Sequence, residues 1–155
     1  MPDVFISYAR ADAKLAKFVY DQLRAEGLDV FLAHVSVEPG QRWSPGIITA
    51  LKRSAWVIFL ASNAACESHF VNHEFGVALG SRKPIVPVVW DQSPKRLPGW
   101  MAQFQALDLR HDFASRVGPE LSAIAKRIRA KKSDGVLAVI AIVAGLLWAS
   151  SGAKR

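Results

Sequence analysis

With 155 residues, 51% of them hydrophobic, the chain suits one domain with a real core plus a tail, and two domains are excluded. The formal charge of +7 points to nucleic acid or membrane only until it is located along the chain. Up to Ala125 thirteen Lys and Arg face twelve Asp and Glu, and the remaining +6 comes from Lys126, Arg127, Arg129, Lys131, Lys132, Lys154 and Arg155 less Asp134.

The globular part is therefore nearly neutral, and no nucleic-acid partner is expected. A single cysteine, Cys66, excludes an intrachain disulfide and agrees with a reducing compartment. No signal-peptide pattern opens the chain, which begins almost at once on a β-rich run, Asp3 to Tyr8, expected as a strand covered on both faces. After the loop ARAD, Asp12 is placed to cap a helix carrying Leu15, Phe18, Val19 and Leu23, and Gly27 to stop it. Leu28 to Leu32 reads as a second strand, followed by a Pro39–Gly40 turn signal. Ser44 and Pro45 read as N-cap and first residue of a helix that buries Ile47, Ile48 and Leu51.

Trp56 to Leu60 is the most continuously apolar strand and feeds a helix over Ser62 to Gly80. Ile85 to Trp90 is a fourth strand, whose Pro87 signals a bulge or missing hydrogen-bond partners. Phe104 to Leu109 is a weaker fifth, and Gly118 and Pro119 are expected to open a last helix with Leu121, Ile124, Ala125 and Ile128 inside. Strands alternating with helices predict an α/β fold, a parallel sheet with helices on both faces and a site beyond the carboxyl ends of the strands. The loops after Tyr8 and Leu32 and the region after Leu60 then open on one edge.

One residue breaks the helical pattern near that edge. On a helix, Phe70, Val71, Phe75, Val77, Ala78 and Leu79 share a broad apolar arc, and Glu74 falls inside it. Burying a bare carboxylate costs several kcal/mol, so Glu74 must be paired, neutralised or kept in a cleft. Cys66, His69 and His73 share a helix face at ligand spacing, but no second cluster completes a metal site, and no metal is expected. The Rossmann fingerprint, the phosphate loop and the GxSxG elbow are all absent.

From Gly135 to Ala153 no residue is charged, which makes a candidate single-pass transmembrane helix. Five basic residues precede it and two follow, placing the domain in the cytoplasm by the positive-inside rule. Ala141, Gly145 and Ala149, four apart, offer a face on which two such helices can approach. The expected division is a domain over 1–132 and a juxtamembrane segment with tail anchor over 133–155.

DVFISYARAD, then VFLAHVSVEPGQRW with IITAL, then VIFLASNAACESHFVNHEF and KPIVPVVW, in that order and spacing, resemble the Toll/interleukin-1 receptor (TIR) domain in its bacterial form. The resemblance implies a flavodoxin-like sheet of five parallel strands. It also implies either cleavage of NAD+, as substrate and not cofactor, at the nicotinamide–ribose bond, or self-assembly as a signalling scaffold, which with the tail anchor would make a non-enzymatic membrane-bound adaptor working through TIR–TIR assembly. In the enzymatic members the catalytic carboxylate lies four residues beyond an aromatic, usually Trp, on the helix after the third strand. Glu74 matches it, with Phe70 in the aromatic place. Arg10 matches a basic residue similar to those that reach the dinucleotide phosphates, and Glu38 to Trp43, with Pro39 and Gly40, matches the loop that closes over substrate and mediates assembly. Tyr8, Arg10, Leu32, Trp43 and Phe70 are thus the candidate substrate-binding residues. Phe70 for Trp, Val71 for Cys and Ala33 for Asp depart from the pattern. The resulting expectation is an NAD+ glycohydrolase or cyclase, tail-anchored in a membrane, self-associating, and acting in bacterial defence or cell-death signalling.

Overall fold

The computed structural model describes residues 1–34, 45–67, 80 and 83–151, and of residues 34 and 135–151 only the backbone. Five strands, β1 (Val4–Tyr8), β2 (Val30–His34), β3 (Trp56–Leu60), β4 (Ile85–Val89) and β5 (Leu107–Asp108), form one sheet in the order β2-β1-β3-β4-β5. Every pairing is parallel, with Ile6 opposite Leu32 and Ile58. This is the flavodoxin-like order, in which the chain reverses its direction of winding between β1 and β3.

The three inner strands are near-continuous apolar runs because both faces of the sheet are covered. On one face Phe5, Val57, Phe59 and Val89 pack against Ala50 and Leu51 of helix α2 (Pro45–Arg53), Ala65 of the short helix α3 (Asn63–Glu67), and Leu97 and Met101. On the other, Val4, Ile6, Ile58 and Leu60 meet Ala16, Val19 and Leu23 of helix α1 (Ala13–Ala25) and Val117, Leu121, Ile124 and Ile128 of helix α4 (Phe113–Ser151). Phe18, at the margin of the α1 face, stays 40% exposed. Gly27, at φ +82°, turns the chain out of α1, as its position predicts.

Three elements depart from the sequence-based expectation. β2 begins at Val30 and runs to His34; Leu28 instead is buried in the turn, its amide bonded to the Leu23 carbonyl at 3.2 Å. β5 is only two residues long. α4 starts at Phe113, six residues before Pro119, because the Asp112 carbonyl closes its first turn by accepting from the Ser115 and Arg116 amides at 3.2 and 3.1 Å. Pro119 then sits inside the helix, exposed, where its missing N–H leaves the Ser115 carbonyl without its helical partner on an exposed turn.

Pro87 has a positional explanation. The Val57 and Ala61 amides donate to the carbonyls of Pro84 and Val88, so even-numbered residues of β4 face β3 and Pro87 faces the β5 side. There the ladder begins only at Val88–Leu107, and the missing N–H breaks no pair.

The helix backbone of α4 continues unbroken through Ser151 across the expected boundary at 132. Among the described residues, no helix is long and apolar enough to cross a membrane. The side chains of the candidate span lie outside them.

Lys83 ties the layers together. Its ammonium donates to the carbonyls of Leu51 (2.7 Å), Ser54 (2.8 Å) and Lys52 at the end of α2, satisfying acceptors that no helical N–H can reach. Burial pushes the Lys83 ammonium below its usual pKa. Lys83→Met keeps the stem and strands these carbonyls, so an unfolding free energy lower by about 1–3 kcal/mol is expected. Urea titration checks this; an unchanged midpoint would show that water replaces the ammonium at no cost.

Candidate active site

All five strands end on the same edge, and the crevice at the β1/β3 reversal is where ligands bind in open α/β sheets. Three loops reach it among the described residues. The first leaves β1 after the half-buried Tyr8 and makes a tight turn over Arg10–Asp12. The second leaves β3 through buried Ala61 and Ser62, and the third leaves β4 into Asp91 and buried Gln92.

A hydrogen-bond frame locks these loops. Ser62 stands at the N-cap of α3, where its Oγ accepts from the Ala65 amide at 3.1 Å, the third residue of the helix. The same hydroxyl donates to Asp12 Oδ2 at 2.5 Å, a charge-assisted bond that joins the β1 and β3 loops across the reversal. Asn63 then grips the β4 loop. Its amide donates to both Asp91 carboxylate oxygens at 3.1 and 3.2 Å, and its Nδ2 donates to the Asp91 carbonyl at 3.1 Å. Gln92 Nε2 completes the frame by donating to the Ala61 carbonyl at 2.7 Å and to Cys66 Sγ at 3.2 Å.

Asp12 therefore differs from its expected part. It occupies the N-cap position of α1 but makes no side-chain cap bond, because Ser62 claims the carboxylate instead. Desolvation is the main reason its pKa is raised, with the Asp91 charge adding to it and the Ser62 bond opposing. A carboxyl whose folded pKa exceeds its unfolded one contributes most at low pH, and that contribution is lost as pH rises through the folded pKa. Asp12→Asn removes this titration while an amide oxygen still accepts from Ser62. Its stability relative to wild type should thus increase as pH is raised from about 4 toward neutrality. Chemical denaturation across that interval tests the sign, and a difference independent of pH would contradict it.

Of the substrate-binding candidates, Tyr8 lies at the tip of β1 in register with His34, and Arg10 follows two residues on. Arg10 is exposed and makes no side-chain hydrogen bond or ion pair among the described residues, so its guanidinium is available on the edge. Leu32 lies inside β2, two residues short of the strand end, and packs with the α1-side cluster. Where a loop was expected after Leu32, the strand continues through Ala33 to His34. Glu38, Pro39, Gly40, Trp43, Phe70 and Glu74 lie outside the described residues, as do Ser44, His69 and His73 of the cap and metal readings. Trp100 packs edge-on against Phe59, centroids 6.2 Å apart. Cys66 is half-buried, burial pushes its thiol up, and among the described residues no three ligating side chains gather around a point. Ser7, just below the edge on β1, is buried with its Oγ unpartnered among the described residues.

Sequence reasoning missed the Asp12–Ser62–Asn63–Asp91–Gln92 frame. The only local signal for it is a Ser–Asn pair directly after an apolar strand, which is a helix-start pattern.

Fold and edge together define a doubly wound α/β domain whose loops converge over its switch point. A model of the TIR domain family matches residues 4–134, and the chain belongs to that family. It is 32% identical over 97 residues to a probable 2' cyclic ADP-D-ribose synthase, BdTIR, of Brachypodium distachyon. That likeness covers 61% of this chain and 43% of the relative, so the chain matches less than half of that protein's length. Among solved structures, a metazoan TIR-STING receptor from C. gigas in complex with 2',3'-cGAMP matches with a TM-score of 0.64 at 23% identity, over 81% of this chain and 39% of that one. The TIR domain of the Toll-related receptor TRR-2 of Hydra magnipapillata matches at 0.62 and 21%, over 83% and 99%. The TIR domains of the activated Roq1 resistosome, which directly recognises the pathogen effector XopQ, match at 0.67 and 18%, over 83% and 99%. These structural likenesses bear on the fold.

Proposed function

We propose that this TIR domain cleaves NAD+ at the nicotinamide–ribose bond, with Glu74 as the catalytic carboxylate. The observation that carries the reading is the 32% identity to a protein named as a probable cyclic ADP-ribose synthase. A dinucleotide suits the switch point, where open α/β sheets bind their ligands. Nicotinamide leaves as a neutral base, so no acid partner is needed, and the ribose passes through an oxocarbenium-like state. A carboxylate against the ribose stabilises that positive charge, more strongly in an apolar setting than in water. Phe70 offers a face for nicotinamide, Tyr8, Trp43 and Arg10 line the edge with Arg10 toward the phosphates, and Glu38 to Gly40 form the loop that closes and assembles. Capture by water yields ADP-ribose, nicotinamide and a proton; capture by a hydroxyl of the same molecule yields a cyclic product instead.

The same reading includes a membrane anchor over the charge-free segment from Gly135 to Ala153, with the domain on the cytoplasmic side, and self-association through the domain and the anchor. Consumption of NAD+ on assembly suits a defence or cell-death response. The test is incubation of membranes carrying the full chain with NAD+, with nicotinamide, ADP-ribose and cyclised ADP-ribose resolved by chromatography. Release of nicotinamide with one ribosyl product supports the enzyme and identifies the capture step. Intact NAD+, even when the domains are forced to cluster, would leave the adaptor role in its place.

A further inference from the structure

The edge of the sheet opposite the candidate active site carries a second, unassigned feature. α4 starts at the carboxyl edge after Asp112 and runs back along the sheet to the amino edge. There Lys132 Nζ meets Asp3 Oδ1 at 3.0 Å, one residue before β1, and Lys131 Nζ lies 5.3 Å over the ring of Trp56, the first residue of β3. These residues, with Ala55, Pro84 and Ile128, line a cavity of about 250 Å³. Asp3 is largely committed, since its other oxygen accepts from the Asp29 amide at 2.9 Å. Lys132 stays 64% exposed on its side chain, and Lys126 and Arg127 on the same helix are exposed as well. Arg129 is held away, on Glu26.

Helix continuity says what faces this cavity. The α4 backbone passes without a break from Lys132 into the charge-free segment at Gly135, three residues and roughly 4–5 Å further along the axis. If that segment enters a bilayer, Lys131, Lys132 and Trp56 stand at headgroup depth, where lysine snorkels and tryptophan partitions. We propose that the amino edge of the sheet is a docking surface for the headgroup of an anionic phospholipid. Lys131 and Lys132 meet the phosphate over the Trp56 ring. The docked edge fixes the domain against the bilayer, and the crevice at the carboxyl edge faces away from it, open to substrate and to other copies. The inference rests on the membrane-anchor part of the proposed function.

The experiment uses the full chain carrying Cys66→Ser and Ala55→Cys. Ala55 is exposed and lines the cavity, so the introduced thiol takes an environment-sensitive fluorophore there. The chain is reconstituted into vesicles of phosphatidylcholine alone or mixed with phosphatidylglycerol, and alkaline extraction reads insertion separately. Insertion is expected in both vesicles, with label emission shifted to the blue, and quenched several-fold more by headgroup-level quenchers, only where phosphatidylglycerol is present. Lys131→Glu with Lys132→Glu should abolish that increment while the chain stays inserted. Equal emission in the two vesicles, or an increment that survives charge reversal, overturns the docking surface and leaves the anchor standing. A chain extracted by alkali overturns both. A shift produced by inorganic phosphate over phosphatidylcholine vesicles would assign the cavity to a soluble anion and overturn the lipid proposal.

Discussion

With Glu74 as the proposed catalytic carboxylate, its replacement by Gln is expected to lower NAD+ turnover by about a hundredfold to a thousandfold, the usual loss when one preorganised group facing a developing charge is removed. The amide matches the carboxylate in size and keeps a hydrogen-bonding oxygen, so the proposed ribose contact should persist. What disappears is a full negative charge opposite a positive charge that exists only as the bond breaks. The loss should therefore fall mainly on kcat, with KM changed far less. Glu74→Asp keeps the charge but withdraws it by one methylene, and intermediate activity is expected. Steady-state release of nicotinamide, with circular dichroism to confirm folding, separates these effects. Undiminished turnover in the Gln variant would remove Glu74 from the chemistry and return it to a merely structural ion pair. A loss confined to KM would make it a binding residue.

How far such a site can be read from sequence depends on whether its signals are local. β3 was readable to the residue, Trp56 to Leu60, because five large apolar residues in a row, flanked by Ser54–Ala55 and Ala61–Ser62, have no competing pattern. Gly27 and Pro45 mark their helix ends for the same reason, each acting through its own backbone restriction. α4 shows the opposite case. Gly118–Pro119 looks like a helix start, yet a left-handed Asp112 at φ 54° turns the chain early and closes the first turn six residues sooner. Asp and Asn visit that region more readily than other residues with a side chain, but which Asp does so is decided by what packs around it. Asp12 failed as a cap for a like reason. Its competitor, Ser62, is fifty residues away, and no local rule relates the two.

The site candidates divide along the same line. Tyr8 and Arg10 follow directly from the end of β1, so their place on the edge was legible. The end of the second strand was placed two residues early, at Leu32, because the apolar run fades there while the strand continues through Ala33 to His34. The frame that joins three loops is built from small polar residues whose partners are distant in sequence, and only the fold brings them together. Glu74 stands out in the sequence by a different route. Projected on a helix it contradicts the apolar pattern around it, and such contradictions are where function can override packing; its role belongs to the proposed function.

Phe59→Ala is expected to be the most damaging substitution for the fold, lowering the unfolding free energy by about 3–5 kcal/mol. Phe59 lies in the middle strand of the sheet, fully buried, in register with Ser7 on one side and Pro87 on the other. Its ring fills the space beneath α2 and Trp100, and nothing there is free to collapse into the void, since Met101, Leu51 and Val57 are themselves fully buried neighbours in the same cluster. A domain of this size holds about 5–15 kcal/mol in all, and each lost kcal/mol lowers the melting temperature by roughly 2–4 °C. A fall of about 6–20 °C should follow. The consequence for function separates stability from chemistry. β3 leads directly into Ser62, which fastens the loops of the edge, so a partly unfolded population loses activity in proportion to its unfolded fraction. At temperatures well below the lowered midpoint, turnover per folded molecule should match wild type, whereas Glu74→Gln should stay impaired at every temperature. Differential scanning calorimetry alongside nicotinamide release from cold to warm makes that comparison. A Phe59→Ala variant with the wild-type midpoint would mean that the layer beneath Trp100 is not packed as the sheet requires.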